Sequence, residues 1–309
     1  MILIATPVTE EFKPLLEAAA PGKEFRYADY KTVTAEDVKD AEIIFGNVPP
    51  KLLPEAKNLK LLQLFSAGFD NYMNAQVPEG CAICSAVGAY GVSVGEYAVT
   101  GLMSLNRKFQ LYVRNQEQNY WHHEGAIKSI YGSTILVLGA GSIGGDAAKA
   151  FKAMGAVVIG TKRSLANKPA WLDELHLLSE IDELLPRADA VLIALPANPD
   201  TYRLLNRERL LKMKENAYIV NVGRGNIIDC DALAEVLTER PAMGACLDVT
   251  DPEPLPAEHP LWSMKNVIIT PHAAGGFALP ETLRRVTSIA AQNIKNCLEN
   301  RPFINQINS

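Results

Sequence analysis

Apolar residues along this chain fall in short runs, and the runs alternate with segments of helical spacing. Near the N-terminus "MILIAT" predicts a strand and "EEFKPLLEAAA" a helix, while "AEIIFGN", "LKLLQLFSAG" and "CAICSA" predict further strands between polar or Gly/Pro loops. The stretch "SVGEYAVTGLMSLNRKFQLYVRNQEQ" contains no proline, and its apolar spacing predicts one long helix, placed where it could join two domains. A second run of strands comes next: "STILVLGAG", "AVVIGT", "AVLIALP", "AYIVNVG", "MGACLDV" and "NVIITPH". Between them lie the helical stretches "GGDAAKAFKAMG", "EIDELLPRA", "NRERLLKMK" and "DALAEVLTER", and "PETLRRVTSIAAQNIKNCLENR" predicts a closing helix. Strand alternating with helix twice over predicts an α/β protein built on parallel sheets. No repeat of solenoid period interrupts the pattern.

Composition narrows the class. With 309 residues the chain suits two domains, and 48% hydrophobic with 21% charged residues is a globular profile. The formal net charge of -5 favours neither nucleic acid nor an anionic membrane as partner. No basic region precedes a long apolar run at the N-terminus, so no signal peptide is expected, and a cytoplasmic location is. Five cysteines, an odd number, predict free thiols. Cys81 and Cys84 form a C-x-x-C, but on a strand residues three apart face opposite sides, roughly 10 Å apart. No second C-x-x-C completes a zinc set, so no metal is expected and small core residues are the simpler reading.

Four stretches carry chemistry. Gly139, Gly141 and Gly144 form G-x-G-x-x-G, entered by the strand "TILVL" and left by a helical pattern. The first glycine permits a tight turn, the second lets backbone N–H groups approach a pyrophosphate, and the third lets helix and strand pack closely. The helix N-terminus adds partial positive charge for phosphates; a glycine turn without a ligand is the alternative. In "NVGRGNIID", Arg224 follows a strand end, where open α/β sheets bind ligands, and its fork suits a carboxylate. A solvated surface arginine is the plainer reading of the same residue. Glu253, between Pro252 and Pro254, is a restrained acid able to orient an imidazole, or an exposed loop acid. His272 follows the strand "VIIT" in a glycine-rich turn, as a candidate acid/base or a capping histidine.

Taken together, "LGAGSIGG", "LPANPDTYRLLN", "NVGRGNIIDCDAL", "LDVTDPEPLPAEHPLW" and "NVIITPHAAG" resemble, in order and spacing, the D-isomer-specific 2-hydroxyacid dehydrogenase family. The resemblance covers most of residues 60 to 290. It implies two Rossmann-like domains with a cleft between them: a discontinuous flavodoxin-like substrate domain, residues 1–98 plus 285–309, and a doubly wound dinucleotide-binding domain, residues 99–284. It implies that His272 protonates the carbonyl oxygen, that Glu253 pairs with His272 and favours its imidazolium form, and that Arg224 holds the substrate carboxylate. Backbone N–H groups of Ala67 and Gly68 in "SAGFD" would hold the carboxylate as well. The cofactor would touch Gly139, Gly141, Ser142, Ile143, Gly144, Leu195, Pro196, Thr201, Val222, Gly223, Asp248 and Gly275.

Two departures stand out. The family's V-A-E before the long helix is "VGE" here, with Gly95 at what reads as a helix start. The acid that would hold the NAD ribose falls at Lys162, followed by Arg163 and Ser164. A base there can pair with a 2′-phosphate, so the resemblance implies NADP(H), with NAD(H) on a solvated basic turn as the alternative. The implied function is hydride transfer between NADP(H) and a small 2-oxo or 2-hydroxy acid, as in glyoxylate or hydroxypyruvate reductases. The alternatives are an NAD-linked phosphoglycerate-type dehydrogenase and a dinucleotide sensor without turnover. Phe45, Tyr90 and Phe277 are candidate lining residues, and a homodimer is expected by family analogy.

Overall fold

The structure, a computed structural model, describes residues 1–308. The chain divides into two compact units, Met1–Tyr90 with Phe277–Ser309, and Gly91–Gly276. The bounds implied by the resemblance, 98 and 285, each lie eight residues later than these points.

The first unit begins with β1 (Ile2–Ala5), α1 (Lys13–Ala19), β2 (Phe25–Tyr27), α2 (Ala35–Val38), β3 (Ile43–Gly46), β4 (Leu61–Gln63) and β5 (Ala82–Cys84). Its strands are all parallel in the order β2-β1-β3-β4-β5, the flavodoxin-like arrangement. Register aligns Leu3, Ile44, Leu62 and Ile83 across one face, and all four belong to the same buried cluster. Burial on both faces explains why β1, β3, β4 and β5 read as continuous apolar runs. β2 escapes that reading because it is an edge strand of three residues, two of them exposed. Cys81 and Cys84 are buried free thiols here, and burial pushes the pKa of both up to about 12.

The second unit holds α3 (Gly91–Arg107), α4 (Phe109–Glu117), β6 (Thr134–Leu138), α5 (Ser142–Ala153), β7 (Val157–Lys162), β8 (Glu174–Leu177), α6 (Ile181–Leu184), β9 (Ala190–Ile193), α7 (Arg207–Lys212), β10 (Tyr218–Asn221), α8 (Cys230–Glu239), β11 (Gly244–Leu247) and β12 (Val267–Ile269). The long α9 (Pro280–Leu298) returns to the first unit and packs on α1 and β4. Seven parallel strands run in the order β12-β11-β10-β9-β6-β7-β8. Counted from β6, this is the doubly wound Rossmann order with one strand added beyond the sixth. A row of register partners, Ile159, Leu136, Val191, Ile219, Ala245 and Val267, crosses the sheet inside one buried cluster. β8, the other strand hidden from the apolar pattern, is again an edge, half-buried at every position.

The predicted single helix before β6 is two helices. Lys108 takes a left-handed backbone (φ 58°) and ends α3, and α4 starts at the next residue with no buried side chain. Nothing in the local sequence marks this break, since neither glycine nor proline occupies it. Gly95 lies inside α3, not at its start, against α5: a Cβ there would stand 3.1 Å from the Ala147 nitrogen. Among the described residues no helix is long and apolar enough to cross a membrane.

Candidate active site

Because all seven strands of the second unit are parallel, their C-terminal ends share one edge. The sequence-predicted residues of this unit follow strands along that edge: Lys162 closes β7, the glycine motif follows β6, Leu195 follows β9, Gly223 follows β10, Asp248 follows β11 and His272 follows β12. From β7 to β12 is five strand steps, about 24 Å at ~4.8 Å per step. The chain order reverses between β6 and β9, the switch point where such sheets open a crevice.

The glycine motif sits at that switch point. Gly139 has φ 91°, and a Cβ on it would stand 2.7 Å from the Ala194 carbonyl oxygen beyond β9. A Cβ on Gly144 would stand 2.2 Å from the Gly139 carbonyl oxygen, so helix α5 and the turn touch through backbone. Gly141 differs: nothing of the protein lies within 4 Å of a Cβ placed there. The fold itself thus demands the outer two glycines, while the middle one leaves open room over the N-terminus of α5. That room, with Gly141 and Ser142 exposed and Ile143 half-buried, fits a pyrophosphate approaching backbone N–H groups.

The turn is held from β7. The buried Thr161 hydroxyl accepts from the Gly139 N–H at 3.1 Å, and its carbonyl accepts from the Ala140 N–H at 2.9 Å. Inward use of Thr161 leaves the next residues, half-buried Lys162 and exposed Arg163, at the rim. Neither forms an ion pair among the described residues. The Ser164 hydroxyl accepts from the Ala166 N–H at 3.2 Å and shapes the turn beyond it.

On the other side of the switch point, Leu195 is half-buried and Pro196 is exposed. Thr201 is buried, and its hydroxyl donates to the Pro196 carbonyl at 2.9 Å and accepts from the Asn198 N–H at 2.9 Å. It therefore staples this loop from within. Val222 and Gly223 are buried after β10, and Arg224 comes next, half-buried and extended. The Arg224 guanidinium donates to the Gly223 carbonyl at 2.9 Å. A Cβ on Gly225 would stand 1.9 Å from the Thr250 carbonyl oxygen, so the arginine loop lies flat against the loop after β11.

His272 and Glu253 meet. The imidazole Nδ1 lies 2.7 Å from Glu253 Oε1, and both side chains are about half exposed. His272 has φ 50°, a left-handed conformation uncommon for a residue with a side chain. Its backbone N–H donates to the Asp248 carbonyl at 2.8 Å. The Asp248 carboxylate, 3% exposed, accepts from the Thr270 hydroxyl at 2.8 Å and from the N–H groups of Ala273 (2.8 Å) and Ala274 (3.1 Å). Gly275, half-buried, closes this loop. An acid–base pair that leaves the imidazole Nε2 to the solvent side, an arginine on the adjacent loop system and a glycine cradle along one sheet edge can bind a dinucleotide and move a proton.

Residues 99–274 match the profile of the D-isomer specific 2-hydroxyacid dehydrogenase, NAD binding domain. The chain belongs to this family. It is 31% identical to a D-3-phosphoglycerate dehydrogenase of Methanocaldococcus jannaschii over 99% of this chain and 59% of that protein, so it spans well under two thirds of that relative. It is 30% identical to a glyoxylate reductase of Thermofilum pendens over 82% of this chain and 76% of that one. Among solved structures, a D-isomer specific 2-hydroxyacid dehydrogenase from Xanthobacter autotrophicus Py2, in complex with NADPH and MES, superimposes with a TM-score of 0.82 at 26% identity, covering 100% of this chain and 98% of that one.

In the first unit of this family member, Ala67 and Gly68 lie half-buried in the loop after β4. Of the candidate lining residues, Phe45 is a correction: it is fully buried within β3, inside the sheet core, and lines no surface. Tyr90 is 8% exposed and donates to the Phe65 carbonyl at 2.7 Å, while the Phe277 ring stands edge-on to Phe65 at 5.3 Å.

Sequence reasoning missed the residues that hold the site residues in place. Asn221, wholly buried at the end of β10, donates to the Arg224 carbonyl at 3.0 Å and accepts from the Gly223 N–H at 3.1 Å. From α3, Ser93 donates to the Ala274 carbonyl at 2.7 Å and Tyr97 bonds the Thr270 hydroxyl. Burial pushes the Tyr97 pKa up to about 12, which keeps its hydroxyl a donor. The one signal in the sequence was a polar residue closing an apolar strand, as Asn221 does in "AYIVN".

Asp248→Ala should leave the Thr270 hydroxyl and two loop N–H groups without their acceptor, lowering unfolding free energy by about 2–4 kcal/mol. Amide hydrogen exchange at Ala273 and Ala274 should accelerate with it. Unchanged exchange at these two amides would show that the carboxylate does not hold the loop.

Proposed function

We propose that the protein is an NADP(H)-linked reductase of small 2-oxo acids, of the glyoxylate or hydroxypyruvate type. The observation that carries this reading is the 2.7 Å pair of His272 and Glu253 on the sheet edge that also bears Arg224 and the glycine cradle. When bound, a reduced nicotinamide would supply the hydride to the 2-oxo carbon. His272 donates through Nδ1 to Glu253, which orients the ring, and its Nε2 proton passes to the carbonyl oxygen to complete the alcohol. Arg224 takes the substrate carboxylate and polarises the carbonyl. Backbone N–H groups of Ala67 and Gly68 are carboxylate donors in this reading. Asp248, Thr201 and Asn221 shape the loops on which these groups and the cofactor contacts sit.

The NADP preference rests on the end of β7. Lys162 and Arg163 stand one strand from the glycine turn, opposite Gly139 and beyond, where an acid would repel a 2′-phosphate. The NADPH named with the Xanthobacter relative supports the same reading. A homodimer is supported by the exposed apolar side chains Phe109, Val113, Tyr120 and Trp121 on α4 and just beyond it, which a second copy would cover. Sedimentation equilibrium should give twice the chain mass, and Trp121→Glu should shift it toward the monomer; a wild-type monomer would remove this part of the reading.

Initial rates with NADPH and NADH on glyoxylate, hydroxypyruvate and larger 2-oxo acids test the core of the proposal. His272→Ala should lower kcat by about 10²–10⁴-fold while NADPH binding holds. Turnover unchanged in that variant would sink the acid role. Arg163→Ala should weaken NADPH by about 10–100-fold, the loss of a charge-assisted contact, and NADH by no more than about twofold. Equal losses for both dinucleotides would show that this side chain does not read the phosphate.

A further inference from the structure

The loop Phe65–Gly68 of the first unit is tied down at the Phe65 N–H, at three of its carbonyls and at the Ser66 hydroxyl. Phe65 donates its N–H to Asn47 Oδ1 at 2.9 Å. The Phe65 carbonyl accepts from Tyr90, and the Ser66 carbonyl accepts from the Ala86 N–H at 2.9 Å. The Ser66 hydroxyl accepts from Asn47 Nδ2 at 2.9 Å and donates to the Gly68 carbonyl at 2.5 Å. Among the described residues the N–H groups of Ser66, Ala67 and Gly68 have no acceptor. Successive unpaired N–H groups on a constrained turn form an anion nest.

Asn47 is the hub. It sits immediately after β3, and its one amide group bonds to both Phe65 and Ser66 on the neighbouring loop after β4. Through Ser66 it reaches the Gly68 carbonyl, which closes the turn around Ala67. The amide is fully committed to this: its oxygen accepts and its nitrogen donates, in the only assignment that satisfies both partners. A hydrophobic residue could make neither bond, and an acid of the same size would take the Ser66 hydroxyl proton that now goes to the Gly68 carbonyl.

We infer that Asn47 is a positioning residue that holds the Ala67 and Gly68 N–H groups in the geometry of a carboxylate nest, acting through Ser66. The inference rests on the proposed reduction of 2-oxo acids, because it takes the nest's anion to be the substrate carboxylate. Its effect belongs to substrate binding. Dinucleotide affinity depends on the other unit and is untouched by it.

The test compares wild type with Asn47→Ala, Ser66→Ala and the double variant, using glyoxylate and hydroxypyruvate as probes with saturating NADPH. Losing the order of hydrogen bonds to a charged group should raise KM for both acids by about tenfold. The KM for NADPH and kcat should stay within about twofold. Ser66→Ala should move in the same direction, and the double variant should be no worse than Asn47→Ala, because the two side chains act in one chain of bonds. If Asn47→Ala does not fold, Ser66→Ala, which removes a single hydroxyl, carries the test alone. Unchanged acid KM in an active, folded variant overturns the positioning role and leaves the reductase reading standing. A lower melting temperature with loss of kcat and no shift in acid KM also overturns it, by assigning Asn47 to the framework alone. A wild-type protein that binds NADPH but turns over no 2-oxo acid overturns the reductase reading, and this inference with it.

Discussion

The common direction of seven strands is the constraint on which the larger unit's chemistry depends. A parallel strand must return through a crossover, so every strand begins at one edge and ends at the other. All the loops that carry glycine, arginine, aspartate and histidine are therefore gathered at a single edge, although they are spread over residues 139 to 275. The reversal of order between β6 and β9 then opens the place where the glycine turn stands. Close backbone contacts set its shape: Gly139 against Ala194, and Gly144 against Gly139 itself. Gly141 alone is free of such demands, which is what a ligand-facing position requires.

One device recurs at the strand ends. Thr161 bonds the turn after β6, Asn221 bonds the turn around Arg224, and Asp248 bonds the loop of His272. Asn47 does the same in the smaller unit. In each case a polar side chain, buried or half-buried, satisfies backbone groups of a loop that cannot use the sheet ladder. The loops are thereby held rigid without secondary structure, and the groups suited to chemistry are left facing outward. Buried polar atoms satisfied in this way hold one loop geometry, because any other leaves a donor or acceptor unpaired.

Charge follows the same local logic. A net charge of -5 says little, since acids and bases pair locally within each unit. Lys162 and Arg163 matter because they are displaced from that pairing to the rim of the cradle by the inward use of Thr161. The half-exposed His272–Glu253 pair is likewise set by its loop, whose left-handed turn at His272 is stabilised by the Asp248 carbonyl and carboxylate.

Much of this could be read from residue order. Double burial makes central strands of parallel sheets into apolar runs, so β1, β3, β6, β9 and β10 stand out, and the glycine, arginine and histidine motifs come directly after strand ends. The edge strands β2 and β8 were illegible because each is shielded on one side only and carries polar side chains. The break at Lys108 left no trace, since a lysine in a left-handed turn looks like a lysine in a helix. Phe45 looked like a lining residue because an aromatic ring near a strand end is ambiguous until its burial is known. The sequence by itself determined the central strands, the motif that closes each of them, and the residue types suited to a dinucleotide and a proton. Only the tertiary structure decided which side chains hold those residues in place. Nothing local distinguishes Asn47 or Asn221 from other asparagines, and their role arises from bonds to backbone that approaches only when the strands are stacked side by side.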